Sequence, residues 1–487
     1  MPIRRYNATM RFALPMPSPM MRRSPAIVAL LCACATIACA EESSDPFSTE
    51  ANQTHRPALQ GGDPCANAKP DRPLDLFGIV NVALCNNPQT REVWANSRAA
   101  SAQVGVSQAS YLPSASVSLA HNRNSPGLTQ RSIGLGLSYL LYDFGARAAN
   151  LENARQLLAS VNATQDSTVQ SLFLSAVQNY YQVRATQAAL DASIVSEAAA
   201  KESYTAANAR YLAGSATPAD KLTAQTAYSQ ATLSRITADG ALKIAQGNLS
   251  NLLGLDANLG TQLAPTEGAA SVAELRDFER NVSDLIEQAR INRPDLQAAQ
   301  AQLLAAKAAA DAARAAAKPS LSLTASTNQV SGGGVTSQGT TVGISLSAPL
   351  FSGYAPTYRI RAAEAQIETR QAQFDRIRLQ VALDVWTAYQ NLVTAMQNLR
   401  ATSDLLESAQ QSERVALGRY KAGAGIMLDL LNAQTALAAA RQQRIQAELN
   451  WNIGRATLAQ AMGTLGAQTL QSGGASDAEQ TPTKNSR

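Results

Sequence analysis

The sequence predicts a mostly α-helical protein with a small β part, built from one unit of two strands and a long helical hairpin that occurs twice. Three observations lead to this fold class: a motif repeated at a constant offset, two long helical stretches, and paired short segments in which apolar and polar residues alternate. Aromatic residues make up only 5% of the chain. This composition suits long, closely packed helices better than a large aromatic core.

The duplication is visible in two related stretches, RYLAGSATPADKL and RYKAGAGIMLDLL. Tyr211 corresponds to Tyr420 at an offset of 209 positions, whereas Pro88 corresponds to Pro294 at an offset of 206. The register therefore shifts by three residues within 319–354, where a loop could accommodate an insertion. A period of this length exceeds that of short solenoid repeats and indicates a tandem duplication.

The duplication divides the chain into two units with matching landmarks. The first unit covers 74–270, with a β-hairpin at 114–142 and a helical-hairpin tip at 211–218; the second covers 271–465, with a β-hairpin at 319–351 and a tip at 420–426. The flanking segments 41–73 and 466–487 are polar and poor in large apolar residues, so they are predicted to be disordered.

Residues 1–40 are predicted to be a signal peptide. Two arginines precede an apolar run in MRRSPAIVALLCACATIACA, and the final Ala-Cys-Ala fits cleavage after Ala40. The run is too short to cross a membrane as a helix. Two alternatives stay open, which are lipid modification at Cys39 or Cys34 and a translation start at Met20 or Met21.

Beyond this leader the chain is formally neutral. Removing the five leader arginines from 41 basic residues leaves 36, equal to the 36 acidic residues. A neutral chain lacks the electrostatic footprint of a nucleic-acid-binding protein, so no nucleic acid is expected as a partner.

Two cysteines lie outside the leader, Cys65 and Cys85. An exported protein meets an oxidising compartment, and these residues are therefore candidates for a disulfide. The bond would tie the N-terminal segment to the first helix. Two buried or free thiols are the alternative.

The two β-hairpins are predicted from alternation. In SIGLGLSYLLYDFG every second residue from Ile133 to Leu141 is apolar, and Ser or Gly fills the intervening positions up to Ser138. The second unit repeats the pattern over 321–325 and 342–348. Such segments are typical of β-strands with one apolar face and one small, polar face.

Strands of about ten residues are long enough to cross a bilayer when tilted. Aromatic residues near the ends of these strands would then lie at the membrane interface. They are Tyr139, Tyr142, Phe144 and Phe351. A soluble hairpin packed on a helix is the alternative.

A long helix is predicted to follow each β-hairpin. No Pro or Gly occurs from Ala146 to Tyr211, and the equivalent run continues from Pro356 to Tyr420. Spacings of four and three alternate along the second run and predict a heptad seam, apolar in its first half. Its members are Val385, Tyr389, Leu392, Met396, Leu399, Ser403, Leu406, Gln410, Glu413, Leu417 and Tyr420. A helix of this size is roughly 100 Å long and must lie against other long helices.

Each long helix is expected to end at a tip where the chain turns back. Glycine favours the end of the helix. Thr217, Pro218 and Asp220 are typical of the start of the next one. Return helices are expected at about Pro218–Leu253 and Ile426–Met462. The strands and the tips therefore lie at opposite ends of the long helices.

One chain supplies too few strands to close a membrane barrel. The smallest such barrels have about eight strands, and a sheet in lipid cannot keep open edges. Two copies would provide eight strands and three copies twelve. The residues alone therefore demand an oligomer without deciding between these numbers.

Taken together, the motifs resemble the TolC-like outer-membrane efflux protein family, especially its type I secretion subset. The resemblance covers about Leu74 to Leu465 and is carried by ALCNNPQTREVWANSRAASAQVGVSQASYLPS, LYDFGAR, LFSGY, NLLGLD and the two RY-x-AG tips. It implies a homotrimer whose transmembrane β-barrel continues as a periplasmic α-helical barrel, in the outer membrane of a Gram-negative bacterium. It also implies that drugs or a secreted protein pass from an inner-membrane transporter and a periplasmic adaptor to the exterior.

The resemblance also implies a gate at the periplasmic tips, closed by acidic rings and hydrogen bonds. The candidate gate residues are Asp429, Asn432, Tyr420, Asp220 and Tyr211. Asp429 matches the outer acidic ring and Tyr420 a tip-bonding tyrosine, but Asn432 replaces the second acidic residue and Gly425 an expected basic one. Three carboxylates rather than six imply a weaker block by cations. For both aspartates, stabilisation of a helix N terminus is the alternative.

No catalytic, cofactor or metal site is expected. His55 and His121 have no Cys or carboxylate cluster at ligand spacing, and SGGGVTSQG lacks the lysine of a phosphate-binding loop. The alternative function is a periplasmic coiled-coil scaffold or adaptor without a pore, although an adaptor would have one hairpin between compact β-modules. The residues do not select among a protein toxin, a drug and a metal ion as cargo, nor do they identify the transporter.

Overall fold

The structure is a computed structural model that describes residues 45–49, 73–124, 127–261, 263–264 and 281–465. The predictions for the signal peptide at 1–40, for the tail at 466–487 and for nearly all of the extension at 41–73 lie outside these residues. Residues 45–49 form a short turn and belong to a unit separate from the rest of the described chain.

The two repeated units of the duplication contain the same series of elements. The first consists of α1 (Leu76–Asn86), α2 (Pro88–Ala109), β1 (Ser114–Asn124), β2 (Leu128–Tyr142), α3 (Ala146–Leu212) and α4 (Pro218–Leu252). The second consists of α5 (Val282–Asn292), α6 (Pro294–Ala316), β3 (Ser320–Gly332), β4 (Val335–Ser347), α7 (Ala355–Lys421) and α8 (Met427–Ala461). The predicted strands, long helices and return helices are confirmed.

The two long hairpins have equal dimensions. Both α3 and α7 contain 67 residues, and both α4 and α8 contain 35. Elements before the β-hairpins recur at an offset of 206 and those after them at 209. The connection from the β-hairpin to the long helix is 143–145 in the first unit and 348–354 in the second, so the extra residues lie between β4 and α7. This position falls within 319–354, where the register shift is predicted.

The stretch 74–111 is poor in glycine and rich in good helix formers, which predicts one helix, but the structure divides it into two. Asn87 has an extended backbone (φ −63°, ψ 132°) and separates α1 from α2. The cause is Pro88, which disfavours helical geometry at the preceding residue and starts α2 instead. Asn87 is also fixed from its side chain, since its Nδ2 donates a hydrogen bond to the carbonyl oxygen of Leu252 at 3.0 Å.

The four strands form one antiparallel sheet in the order β1-β2-β3-β4. Their register places apolar residues beside apolar residues, and small polar residues beside small polar residues, on neighbouring strands. One row contains Ala115, Leu137, Ala325 and Val342, and the next contains Ser116, Gly136, Ser326 and Thr341. The apolar face is uncovered in a single chain, where Ile344 and Leu346 are each 69% exposed. An exposed apolar surface of this kind marks an interaction with another molecule or a membrane.

Aromatic pairs mark the passage from each β-hairpin to its long helix. The rings of Tyr142 and Phe144 make an edge contact at 4.8 Å, and those of Phe351 and Tyr354 at 5.6 Å. Phe351 is 77% exposed. These aromatic residues lie at the helix ends of the hairpins, and their place at a membrane interface stays a prediction.

The helical core lies midway along the long helices, in two clusters that occupy equivalent places in the two units. Equivalent buried pairs are Leu172 and Val381, Ala176 and Val385, and Val183 and Leu392. Val385, Leu392 and Leu399 are buried members of the predicted heptad seam, while Gln410 in its polar half is exposed. The seam is therefore confirmed as the packing face of α7.

Among the helices in the described part of the chain, none is long and apolar enough to pass through a membrane.

Candidate functional site

The two helical-hairpin tips, at 213–217 and 422–426, lie at the ends of α3 and α7 that are remote from the strands. Gly214 and Gly423 have φ values of +72° and +76° in the turns. Because side chains disfavour this left-handed conformation, glycine is what allows each long helix to end here. The tip positions predicted from the repeated motif are thus supported by the backbone.

Asp220 is engaged in the start of its own helix. Thr217 caps α4 by accepting a hydrogen bond from the amide of Asp220 at 3.2 Å, and the Asp220 carboxylate accepts from the amide and hydroxyl of Thr217 at 3.1 and 2.7 Å. This reciprocal arrangement is a capping box. The contacts support helix capping, the alternative considered for Asp220.

Asp429 occupies the equivalent position but has a different setting. It lies exposed in the first turn of α8, whose N-cap residue Ile426 provides no side-chain hydrogen bond. Asn432, one turn further on, is also exposed. The tip of the second unit therefore presents one carboxylate and one neutral amide to solvent, and the gate roles of both residues stay predictions.

Tyr420 is buried, with 7% exposure, and is held by an arginine of the first unit. The guanidinium of Arg210 lies 4.3 Å from the centre of the Tyr420 ring, and its Nη2 donates a hydrogen bond to the Tyr420 carbonyl oxygen at 2.9 Å. Arg210 thus connects the two tips within one chain. The sequence reasoning did not select Arg210, although it precedes Tyr211 in the repeated RY motif.

Tyr211 has a different environment from its counterpart. It is 37% exposed, and the Lys221 ammonium lies 5.1 Å from its ring centre. Arg419, the counterpart of Arg210, is exposed. The same motif therefore makes a contact between the units at Arg210 and leaves its second copy at the surface.

Further contacts join the two tips. Gln434 Nε2 donates a hydrogen bond to the Ser203 hydroxyl at 3.1 Å, and Lys421 lies 3.5 Å from Glu202. The side chains of that ion pair are 62% and 69% exposed. Between these polar contacts lies a small apolar cluster of Ala207, Ala224, Tyr420, Met427, Leu430 and Leu431. Close packing of the two hairpins is thus built mainly from small and aliphatic side chains.

Gly425 lies against the end of α7. A Cβ atom at this position would be 3.1 Å from both the Cβ of Arg419 and the amide nitrogen of Tyr420. A basic side chain at this position would therefore require its neighbours to shift.

The predictions for the disulfide and for a metal site concern residues of which the structure describes only a part. Cys85 is disulfide-bonded. Cys65 lies outside the described residues, so the pairing of Cys65 with Cys85 stays a prediction. Within the described ranges, no group of three or more His, Cys, Asp or Glu side chains could hold a metal ion.

Comparison with known proteins agrees with this architecture. Residues 79–255 and 285–464 match the family described as Outer membrane efflux protein, one segment in each unit. Protein CyaE of Bordetella pertussis is 31% identical over 82% of this chain and 85% of its own length. Outer membrane protein TolC of Escherichia coli K12 is 24% identical over 81% of this chain and 83% of its own length.

The fold is also shared with solved structures. The Campylobacter jejuni CmeC outer membrane channel matches with a TM-score of 0.71 at 19% identity, over 82% of this chain and 88% of CmeC. The family is one of transport channels, so the alternative of a scaffold without a pore is not supported. The chain belongs to the outer membrane efflux protein family, and it is an outer-membrane channel of the efflux or secretion type.

Proposed function

We propose that three copies of this chain form one closed channel that carries a substrate from an inner-membrane transporter and its periplasmic adaptor to the cell exterior. The observation that carries this proposal is the four-stranded sheet with an uncovered apolar face. Among the described residues, the outer edges of β1 and β4 have no partner strand. In lipid these edges must pair, and pairing β4 of one copy with β1 of the next satisfies both.

The family resemblance favours three copies over two. Twelve strands and six helical hairpins would then surround one passage. The rows of Ser, Gly and Thr line its membrane part, while the apolar rows face lipid. Such a wall of small polar side chains conducts without selecting, so the choice of cargo belongs to the transporter.

The resemblance to the type I secretion subset favours a secreted protein as the cargo, with drugs as the second candidate. The periplasmic adaptor and the inner-membrane transporter are expected at the tip end of the helices. We assign the chain no catalytic role.

The tips are the proposed closing point of the channel. Asp429 contributes one exposed carboxylate from each chain, and Asn432 adds no charge. The ring of three Asp429 side chains would attract cations to the entrance. Tyr420, fixed by Arg210, would hold the second hairpin in the closed position.

Purified protein tests the channel directly. Native mass spectrometry in detergent should give a trimer, and planar bilayers should show stepwise ionic currents. A dimer would overturn the twelve-stranded arrangement, and a monomer without current would overturn the proposal as a whole.

A matched pair of variants tests which face of β4 meets lipid. Ile344→Arg places a charge on the apolar face, where it should cost about 2–4 kcal/mol near the bilayer centre and reduce the yield of trimer in the outer membrane. Ser345→Arg places the same charge on the opposite face and should leave assembly intact while changing conductance. Equal loss of trimer in both variants would contradict the proposed orientation of the sheet.

A further inference from the structure

We propose that neighbouring subunits meet at the tips through a second copy of the interface that joins the two hairpins within one chain. In this arrangement, Arg419 contacts Tyr211 of the partner subunit. The inference rests on the proposed ring of identical chains, and it assigns the residues that connect one chain to the next.

The internal interface provides the template. Within one chain, α3 packs against α4 and α8, and α8 packs against α7. The four helices therefore lie side by side in the order α4, α3, α8, α7, with α4 and α7 at the flanks. The contact of the first hairpin with the second is polar at Arg210–Tyr420 and Ser203–Gln434, and apolar where Leu431 lies.

The duplication supplies each of these residues a second time. Adding the offset of 209 to the first member of a contact, and subtracting it from the second, converts the internal pairs into new ones. The new pairs are Arg419 with Tyr211 and Ser412 with Gln225, and Leu222 is the counterpart of Leu431. Arg419 and Ser412 lie in the last turns of α7, Gln225 and Leu222 lie in the first turns of α4, and Tyr211 lies in the last turn of α3.

The counterparts are exposed where the originals are covered. Tyr420 is 7% exposed but Tyr211 is 37% exposed, and Leu431 is 7% exposed but Leu222 is 60% exposed. Arg419, Ser412 and Gln225 are exposed as well. One chain therefore carries both halves of an unused interface on its two flanks.

The halves also fit the requirements of a ring. The flank formed by α7 and the flank formed by α4 differ, so copies join head to tail, and head-to-tail contacts generate rings when the rotation closes. In the internal contact the Tyr420 carbonyl accepts from Gly423 at 3.1 Å and also from Arg210 at 2.9 Å. The Tyr211 carbonyl accepts from Gly214 at 3.0 Å in the same way, and its second lone pair is the expected acceptor for Arg419.

The two interfaces differ at one position. Lys221 is the counterpart of Leu430, and its ammonium lies 5.1 Å from the Tyr211 ring centre. Two cations near one ring repel each other. The contact between subunits is therefore the weaker of the two interfaces. When the tips open, the ring of three chains should separate first at the contacts between subunits.

Cysteine pairs with a short bifunctional thiol reagent test the inference on the full-length protein. Ser412→Cys with Gln225→Cys should produce covalent dimers and trimers on a denaturing gel. Ser203→Cys with Gln434→Cys is the matched control, because it should lose its thiols to an internal link and migrate as a monomer. Cysteine is close in size to the serines at 203 and 412 and smaller than the glutamines at 225 and 434. The single-cysteine variants give the background.

The outcomes separate this inference from the proposed function. Covalent trimers from the first pair alone support the copied interface. A conducting trimer in which only the internal pair reacts overturns the copied interface and leaves the channel intact. Absence of a trimer before any reagent is added overturns the proposed ring itself, and this inference with it.

Discussion

Replacing Arg210 should favour the open channel, because this residue fastens the second hairpin to the first. The guanidinium lies 4.3 Å from the Tyr420 ring centre and donates to the Tyr420 carbonyl oxygen at 2.9 Å. Both contacts must break if α7 and α8 move away from α3. Arg210→Gln removes the cation and shortens the reach of the side chain.

The size of the effect follows from the two contacts. A hydrogen bond from a charged group contributes about 1.5–3 kcal/mol, and a cation–π contact at a partly exposed site about 0.5–1 kcal/mol. Arg210 is only half-buried, which places the sum near the lower end, at about 2 kcal/mol per chain. A change of this size shifts the opening equilibrium roughly 30-fold. Arg210→Lys should shift the opening equilibrium by an amount between those of the wild type and Arg210→Gln, because an ammonium keeps the charge but lacks the planar stacking group.

Single-channel recording in planar bilayers measures this shift as the fraction of time spent in the higher-conductance state. Glu202→Gln is the control, since it removes a contact between the same two hairpins whose partners are 62% and 69% exposed. Exposed ion pairs contribute about 0–1 kcal/mol, so this variant should resemble the wild type. Identical opening of the Arg210→Gln variant and the wild type would refute the role assigned to Arg210.

Three further predictions concern single side chains. Asp429→Ala should weaken the block of current by divalent cations, because it removes the exposed carboxylate from each tip; unchanged block would remove Asp429 from the gate. Thr217→Ala should cost about 1 kcal/mol locally by deleting the cap of α4. The loss should be seen as faster hydrogen exchange at the amides of 219–221, whereas equal exchange rates would show that the cap is dispensable. Hydrogen bonding by Thr232, opposed by burial and assisted by Arg235, lowers the pKa of Glu197 below its ordinary 4.5. Its stabilising effect is present above that value and is lost as the pH falls through the lowered pKa. Glu197→Gln should therefore lose less thermal stability than the wild type as the pH falls from neutral to below the ordinary value of 4.5, and parallel losses in melting experiments would contradict this.

Local chemistry made much of the fold predictable. Thr217 and Pro218 start α4, and Gly423 ends α7, because caps, fixed φ angles and left-handed turns depend on a few neighbouring residues. The alternation of apolar and small residues likewise located the strands. Asn87 shows how a local signal can be overlooked, since the following proline was present in a stretch whose composition otherwise favours one continuous helix.

The arrangement of the candidate site could be predicted less well from the sequence, because it depends on which helix surfaces contact each other. Tyr211 and Tyr420 follow an arginine in the same motif, but only Tyr420 is buried, beneath Arg210 of the other unit. A pattern in one unit contains no information about its neighbour. Asp220 illustrates the converse, since the same aspartate fits an acidic ring and a capping box, and its hydrogen bonds to Thr217 belong to the second.

The paired helices have equal lengths, which sets the same distance from the strands to the tip in both units. Because α3 matches α7 and α4 matches α8 in length, the six helical hairpins of the proposed trimer would all have the same length. Deleting one heptad would shorten a helix by about 10 Å. Such a change could be accommodated only if it were made in all four helices at once. Where relatives differ in helix length, all four helices should therefore change together. Insertions that occur in one unit only should concentrate in the turns.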